Sequence, residues 1–227
     1  VTDHGNMMGI KEFYNYVKSK RKSAQSALKD LQEKLLALDT AEDFGEYATR
    51  EEAQKALEQQ IATKKRAAEF KPIFGCEMYV ARRGMRTKEC KEDQSGWHLI
   101  VLAKNEKGYH NLIKLVSHAW VDGFYMRPRT DHAELEKYRE GLIVCSACIG
   151  GEVPQKILSG NLEAAEEAVL WFKKCFGDDY YLELQRHEVK DPNQRANRET
   201  FPLQQKVNRQ LVELAHKYQI KLMCSND

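Results

Sequence analysis

Five side chains able to hold a metal ion stand at the ends of apolar runs. They are His4 in V-T-D-H-G-N, Glu77 in G-C-E-M-Y-V, His98 at the head of H-L-I-V-L-A, Cys148 closing L-I-V-C-S-A-C, and Asp227 closing K-L-M-C-S-N-D. Imidazole, carboxylate and thiolate together suit Zn²⁺, with Mn²⁺ or Fe²⁺ as alternatives. Each residue alone has an ordinary reading: His98 as a structural hydrogen-bonder, Glu77 as an edge carboxylate, Cys148 as a buried apolar thiol, Asp227 as a turn former. Their joint placement is what points to a metal site. The Cys145-x-x-Cys148 spacing is discounted as a redox or zinc pair, because strand alternation sends i and i+3 to opposite faces and no second such pair follows. In Y-M-R-P-R-T, Arg127 and Arg129 offer guanidinium groups for phosphate, against the alternative of a loop bound by ion pairs. His110, His118, His132, His187 and His216 have no evident partner. No P-loop, GxGxxG or GxSxG occurs, so the common nucleotide and acyl-transfer sites lose support.

Elements must bring such distant residues together. After Lys71 the pattern alternates. Strands are expected in K-P-I-F-G-C-E-M-Y-V, H-L-I-V-L-A, G-L-I-V-C-S-A-C, Y-Y-L-E-L and K-L-M-C-S. Helices are expected over 109–120, 153–158, 162–176 and 202–218. Such alternation predicts parallel strands with helical crossovers, in an open sheet or a barrel. Ligands in these folds collect at the strand carboxyl ends, where the five residues fall.

A helix is expected over 10–18, after which composition changes. From about Lys20 to Phe70 the chain is rich in Ala, Leu, Glu, Lys and Gln, with one Gly and no Pro. Ala24, Leu28, Leu31, Leu35 and Leu38 follow coiled-coil spacing, and T-R-E-E at Thr49 to Glu52 reads as a capping box. The segment 18–69 therefore reads as a helical, coiled-coil-like hairpin inserted into the fold of 1–17 and 70–227. It is a solvated arm packing on itself or one that binds a partner.

Among 227 residues, 36 basic and 34 acidic side chains nearly balance, so any nucleic-acid contact must be local. No run reaches the length of a membrane span, no signal peptide is read, and the six scattered cysteines suit a reduced interior, so a cytoplasmic location without membrane contact is expected.

V-T-D-H-G-N-M, F-K-P-I-F-G-C-E-M-Y-V, H-L-I-V-L-A-K-N-E-K-G-Y-H-N-L-I-K-L-V-S, F-Y-M-R-P-R, G-L-I-V-C-S-A-C-I-G-G-E-V-P, F-G-D-D-Y-Y-L-E-L and C-S-N-D occur in this order. They closely resemble successive blocks of the PHP (polymerase and histidinol phosphatase) domain family, in the branch found in bacterial DNA polymerase III alpha subunits. The resemblance covers residues 1 to about 17 and about 70 to 227, and the hairpin resembles an extra segment of Bacteroides-like members. It implies a distorted seven-stranded (β/α) barrel of PHP type, incomplete here, whose cleft holds up to three metal ions. It implies ligand roles for His4, Glu77, His98, Cys148 and Asp227, with Asp3 and Asn226 beside them.

The resemblance further implies a parent that is a DNA-directed DNA polymerase (a nucleotidyltransferase) acting in DNA replication, with Mg²⁺ in a separate polymerase domain that carries the catalytic aspartates. The implied partners are DNA, sliding clamp, clamp loader and a proofreading exonuclease. The PHP domain would be a metal-dependent 3′–5′ exonuclease or a structural platform; the alternative is a free-standing phosphoesterase for a small monoester such as histidinol phosphate. The family pattern also has an upstream H-x-H strand and a final His past the closing Asp, neither found here. The expectation is that this chain alone binds metal weakly or not at all and is inactive; for the missing strand two alternatives stand, residues present but disordered or a gap closed by dimerising.

Overall fold

In the computed structural model, which describes residues 1–226, the chain divides into two compact units, Val1–Met8 with Ile73–Asp227, and Gly9–Pro72. The second unit is a helical hairpin. Helix α1 runs unbroken over Ile10–Ala37, and α2 over Arg50–Ala68. Val17, Ala24, Leu38, Ala53 and Ala68 are buried, and Leu28, Leu31 and Leu35 are half-buried. Thr49 caps α2 by accepting from the Glu52 N–H at 3.2 Å, while the Glu52 carboxylate accepts from the N–H of Ala48 at 3.2 Å. The expected helix over 10–18 and the hairpin beyond it are thus one helix, because no Gly or Pro interrupts the chain between Ile10 and Ala37. The compact unit that holds the hairpin spans Gly9–Pro72.

The first unit is a seven-stranded sheet with helices packed on it. Its strands are β1 (Thr2–His4), β2 (Gly75–Val80), β3 (Trp97–Ala103), β4 (Arg129–Thr130), β5 (Leu142–Cys145), β6 (Tyr180–Gln185) and β7 (Lys221–Ser225). The order is β1-β2-β3-β5-β6-β7, with β4 continuing beside β2, and the sheet is not closed. The connecting helices are α3 (Glu106–Val121), α4 (His132–Lys137), α5 (Glu152–Leu158), α6 (Leu162–Phe176) and α7 (Phe201–Tyr218). Asn105, Asp131 and Asn161 cap α3, α4 and α6, each accepting a backbone N–H with its side-chain oxygen. The core joins Val101, Val144 and Leu182 of the sheet to Leu112 and Leu115 of α3, Ile157 of α5, Val169 and Phe172 of α6, and Leu211 of α7.

The expectation of parallel strands throughout needs correction. β1–β2, β2–β4, β5–β6 and β6–β7 are parallel, but β3 runs antiparallel to both β2 and β5. Between β2 and β3 the chain makes a loop and a short 3-10 turn over Lys91–Gln94 instead of a crossover helix. A strand joined to its neighbour without a helical crossover can return alongside it in the opposite sense. A periodic apolar run carries no sign of its direction.

Candidate metal centre

The reversal of β3 is what assembles the site. His98 lies at the amino end of its strand, yet because β3 is antiparallel this end lies with the carboxyl ends of β2 and β5. In register, His4 pairs with Glu77 across β1–β2, and His98 pairs with Tyr79 across β2–β3. Glu77 and Tyr79 stand two apart on β2 and share a face. The result is a cluster in which one ligand atom from each of His4, Glu77 and His98 lies within 4.8 Å of the others. His4 Nε2 is 3.4 Å from Glu77 Oε2, and His98 Nδ1 is 2.6 Å from Glu77 Oε1. Cys148 Sγ approaches the same Nδ1 at 3.5 Å.

Burial sharpens the geometry. Glu77 is 4% exposed. Its Oε1, although close to His98 Nδ1, has no aligned hydrogen-bond donor among the described residues. The distance is that of an ion pair and the angle is not that of a hydrogen bond. A buried carboxylate oxygen left without a donor, facing an imidazole nitrogen, is what a divalent cation satisfies. The donor set therefore fits a metal ion, which His4, Glu77 and His98 could hold, and Cys148 stands beside His98. The His98 imidazole is pushed up to about 10, first by its contact with Cys148 and then by Glu77, against the opposing effect of burial.

Two residues that the sequence reading missed hold these ligands. The Tyr79 ring packs edge-on against the His98 imidazole, with centroids 5.3 Å apart. The Gly150 N–H donates to Cys148 Sγ at 3.4 Å, and its carbonyl accepts from the His98 N–H at 3.0 Å. A Cβ at Gly150 would stand 3.2 Å from the His98 ring, so the close approach favours glycine there. Tyr79 could have been found from its two-residue offset from Glu77; the role of Gly150 depends on a turn whose path local sequence does not specify.

The other expected residues fall as follows. Asp3 is half-buried, paired in register with Cys76, and by alternation lies on the face opposite to His4. Burial pushes the Cys76 thiol up to about 12. Asn226 is exposed, and its carbonyl meets His187 Nε2 at 2.9 Å. Asp227 lies outside the described residues. Arg127 is exposed, with its guanidinium 5.9 Å from the centre of the Tyr79 ring, which places it near the cluster. Arg129 is a correction: it is fully buried and donates to the carbonyls of Gly123, Thr87 and Met85 at 3.0, 3.1 and 2.8 Å. A guanidinium spent on three backbone oxygens is a loop clip, with no face left for phosphate. Four histidines read as unpartnered also have partners: His118 with Glu134 at 2.6 Å, His132 with Glu152 at 2.8 Å, His187 with Gln204 at 3.0 Å, and His110 near Glu106 at 3.9 Å.

Beside Cys148 lies a second polar group. The Ser225 hydroxyl and the Gln185 amide both donate to Glu183 Oε1, and the Glu183 N–H donates to Ser146 Oγ at 2.8 Å. This network ties the ends of β6 and β7 to the turn that carries Cys148.

Comparison with known proteins gives consistent matches. The family model described as PHP domain matches residues 1–187. The chain is similar to the DNA polymerase III subunit alpha of Borreliella burgdorferi, 48% identical over 163 residues, covering 70% of this chain and 13% of that protein. It is 42% identical over 169 residues to that of Aquifex aeolicus, covering 71% and 13%, and 38% identical over 159 residues to that of Thermus aquaticus, covering 69% and 12%. The chain thus spans 12–13% of the length of these three relatives.

Proposed function

Since the chain belongs to the PHP domain family, we propose that it is the PHP portion of a bacterial DNA polymerase III alpha subunit and acts there on phosphodiesters with a bound divalent metal. The observation that carries this reading is the convergence of His4, Glu77, His98 and Cys148 from four separate segments, with a buried Glu77 oxygen lacking a donor. Zn²⁺ suits the nitrogen, oxygen and sulfur donors; Mn²⁺ and Fe²⁺ are the other candidates. Such an ion supplies Lewis-acid polarisation of a phosphoryl oxygen and activates water.

The chain's own residues do the rest. Glu77 spans the two imidazoles and sets their separation. Tyr79 limits rotation of the His98 ring. The Gly150 N–H holds Cys148 Sγ toward the cluster. Arg127, exposed near Tyr79, is placed to meet a phosphate oxygen of an entering strand. In this reading the parent protein polymerises DNA through a separate Mg²⁺-dependent domain in the cytoplasm, works with sliding clamp, clamp loader and a proofreading exonuclease, and uses the PHP domain to remove 3′ nucleotides.

The test is a nuclease assay of the intact subunit with the polymerase site inactivated. Metal-dependent 3′–5′ removal is expected, and Glu77→Ala is expected to reduce it at least about 100-fold, the scale on which metal-site changes act. Activity unaffected by that change would remove the assignment. Absence of activity in a metal-loaded, folded protein would instead support a structural platform.

A further inference from the structure

The helical hairpin carries a feature that the metal centre does not use. Its charge is segregated by position. Residues 11–29 and 59–71, the half nearest the chain entry and exit of the hairpin, hold ten Lys or Arg against two Glu. Residues 30–58, the tip half, hold nine Asp or Glu against three Lys or Arg. The chain as a whole is nearly balanced, so this separation is local.

On α1 the cations form a line. At 100° per residue, Lys11, Tyr14, Lys18, Arg21, Lys22, Gln25 and Lys29 fall on one face, beside the apolar seam that meets α2. From Lys11 to Lys29 the line is about 27 Å long. Lys11, Lys18, Lys22 and Lys29 are exposed and form no ion pair among the described residues. Like charges spaced along one helix face repel one another. Within it, Tyr14 is 46% exposed, with the Lys18 ammonium 6.0 Å from its ring centre. Tyr14, Val17, Lys18, Arg21 and Lys22 line a groove of about 300 Å³.

We propose that this basic face of α1 binds a single polynucleotide strand, with the lysines on successive phosphates and Tyr14 stacked on a base. An aromatic face set among cations matches the two chemistries of a single strand, a charged backbone and unstacked bases. The competing occupant is the acidic tip of a second copy, which satisfies the charges but has no group to stack on Tyr14. The surface lies wholly within the hairpin, so the inference does not rest on the metal-site reading.

The test uses the full chain and a fluorescein-labelled 20-nucleotide oligo(dT), followed by anisotropy across a salt series. Binding that weakens steeply with salt is expected. The Lys11→Gln/Lys18→Gln/Lys22→Gln/Lys29→Gln variant should bind at least about tenfold more weakly, with the salt slope reduced by about 0.7 for each phosphate that the variant no longer neutralises. Tyr14→Ala should weaken oligo(dT) binding and leave the salt slope unchanged. Helicity by circular dichroism must match the parent for both variants. Equal binding by parent and four-glutamine variant overturns the proposal. So does a parent dimer, seen by sedimentation without DNA, that the four substitutions dissociate; that result assigns the face to a second copy. Duplex binding as tight as oligo(dT) binding and indifferent to Tyr14→Ala overturns the single-strand assignment.

Discussion

A carboxylate that is only 4% exposed, as at Glu77, must have its charge compensated. Two imidazoles approach it, Cys148 stands beside one of them, and a cation could complete the arrangement. Glu77→Gln keeps the shape and removes the charge. It is expected to lower zinc affinity by at least about tenfold in a chelator competition. Circular dichroism should show the fold retained, because an amide fits the same space. Asp93 presents the contrasting case of a carboxylate compensated within the protein. It takes Arg83 Nη2 at 2.5 Å and the N–H groups of Glu89 and Cys90 at 3.0 and 3.1 Å, and these partners, Arg83 first, hold it well below the usual carboxylate range. A depressed carboxyl contributes stability that is present above its unfolded value, near 3.8, and is lost as pH falls toward the folded one. Urea unfolding of the parent and Asp93→Asn should therefore differ by a constant amount from pH 8 to 5, with the gap closing below about pH 4. At this scale the candidate donors were legible because their side-chain types stand out in or beside apolar runs. Tyr79 and Gly150 were not, because their roles depend on neighbours across the sheet.

Elements decide which of two nearby residues serves the site. Arg127 and Arg129 are two apart, yet one is exposed near Tyr79 and the other buried under three carbonyls. Arg129→Ala should cost about 3 kcal/mol or more in urea unfolding, since it leaves backbone oxygens without donors. Arg127→Ala should leave stability within about 0.5 kcal/mol and act on the KM for an oligonucleotide. Composition could not separate them, since both sit in one polar loop-like stretch. The packing of α3 on the loop before β5 is similarly tight. A Cβ on Gly108 would lie 1.7 Å from the Gly141 carbonyl oxygen, and Gly141 itself has φ +75°. Gly108→Ala is expected to destabilise by about 1–3 kcal/mol, read by the shift of the urea midpoint. The helices themselves were readable from their periodicity and caps, and so were most strands. The direction of β3 was not, because an alternating run looks the same read from either end.

The whole chain comprises a sheet unit and a helical hairpin, each with its own buried residues. Replacing Gly9–Pro72 by a flexible linker in the intact subunit should therefore leave its zinc binding in place, while weakening its binding to oligo(dT). Loss of zinc binding in a folded deletion protein would show the hairpin to be part of the metal centre. By itself the sequence determined the element types, the donor residues, the resemblance that names the family and the charge segregation of the hairpin, because these follow from residue chemistry and short-range periodicity. Only the tertiary structure decided that β3 runs backwards, that this brings His98 to Glu77, that Arg129 is a buried clip, and that α1 continues unbroken from Ile10 into the hairpin. These outcomes depend on which distant backbone groups find hydrogen-bond partners and which side chains are buried. Such pairings are settled by the packed chain as a whole, and no local stretch of residues contains them.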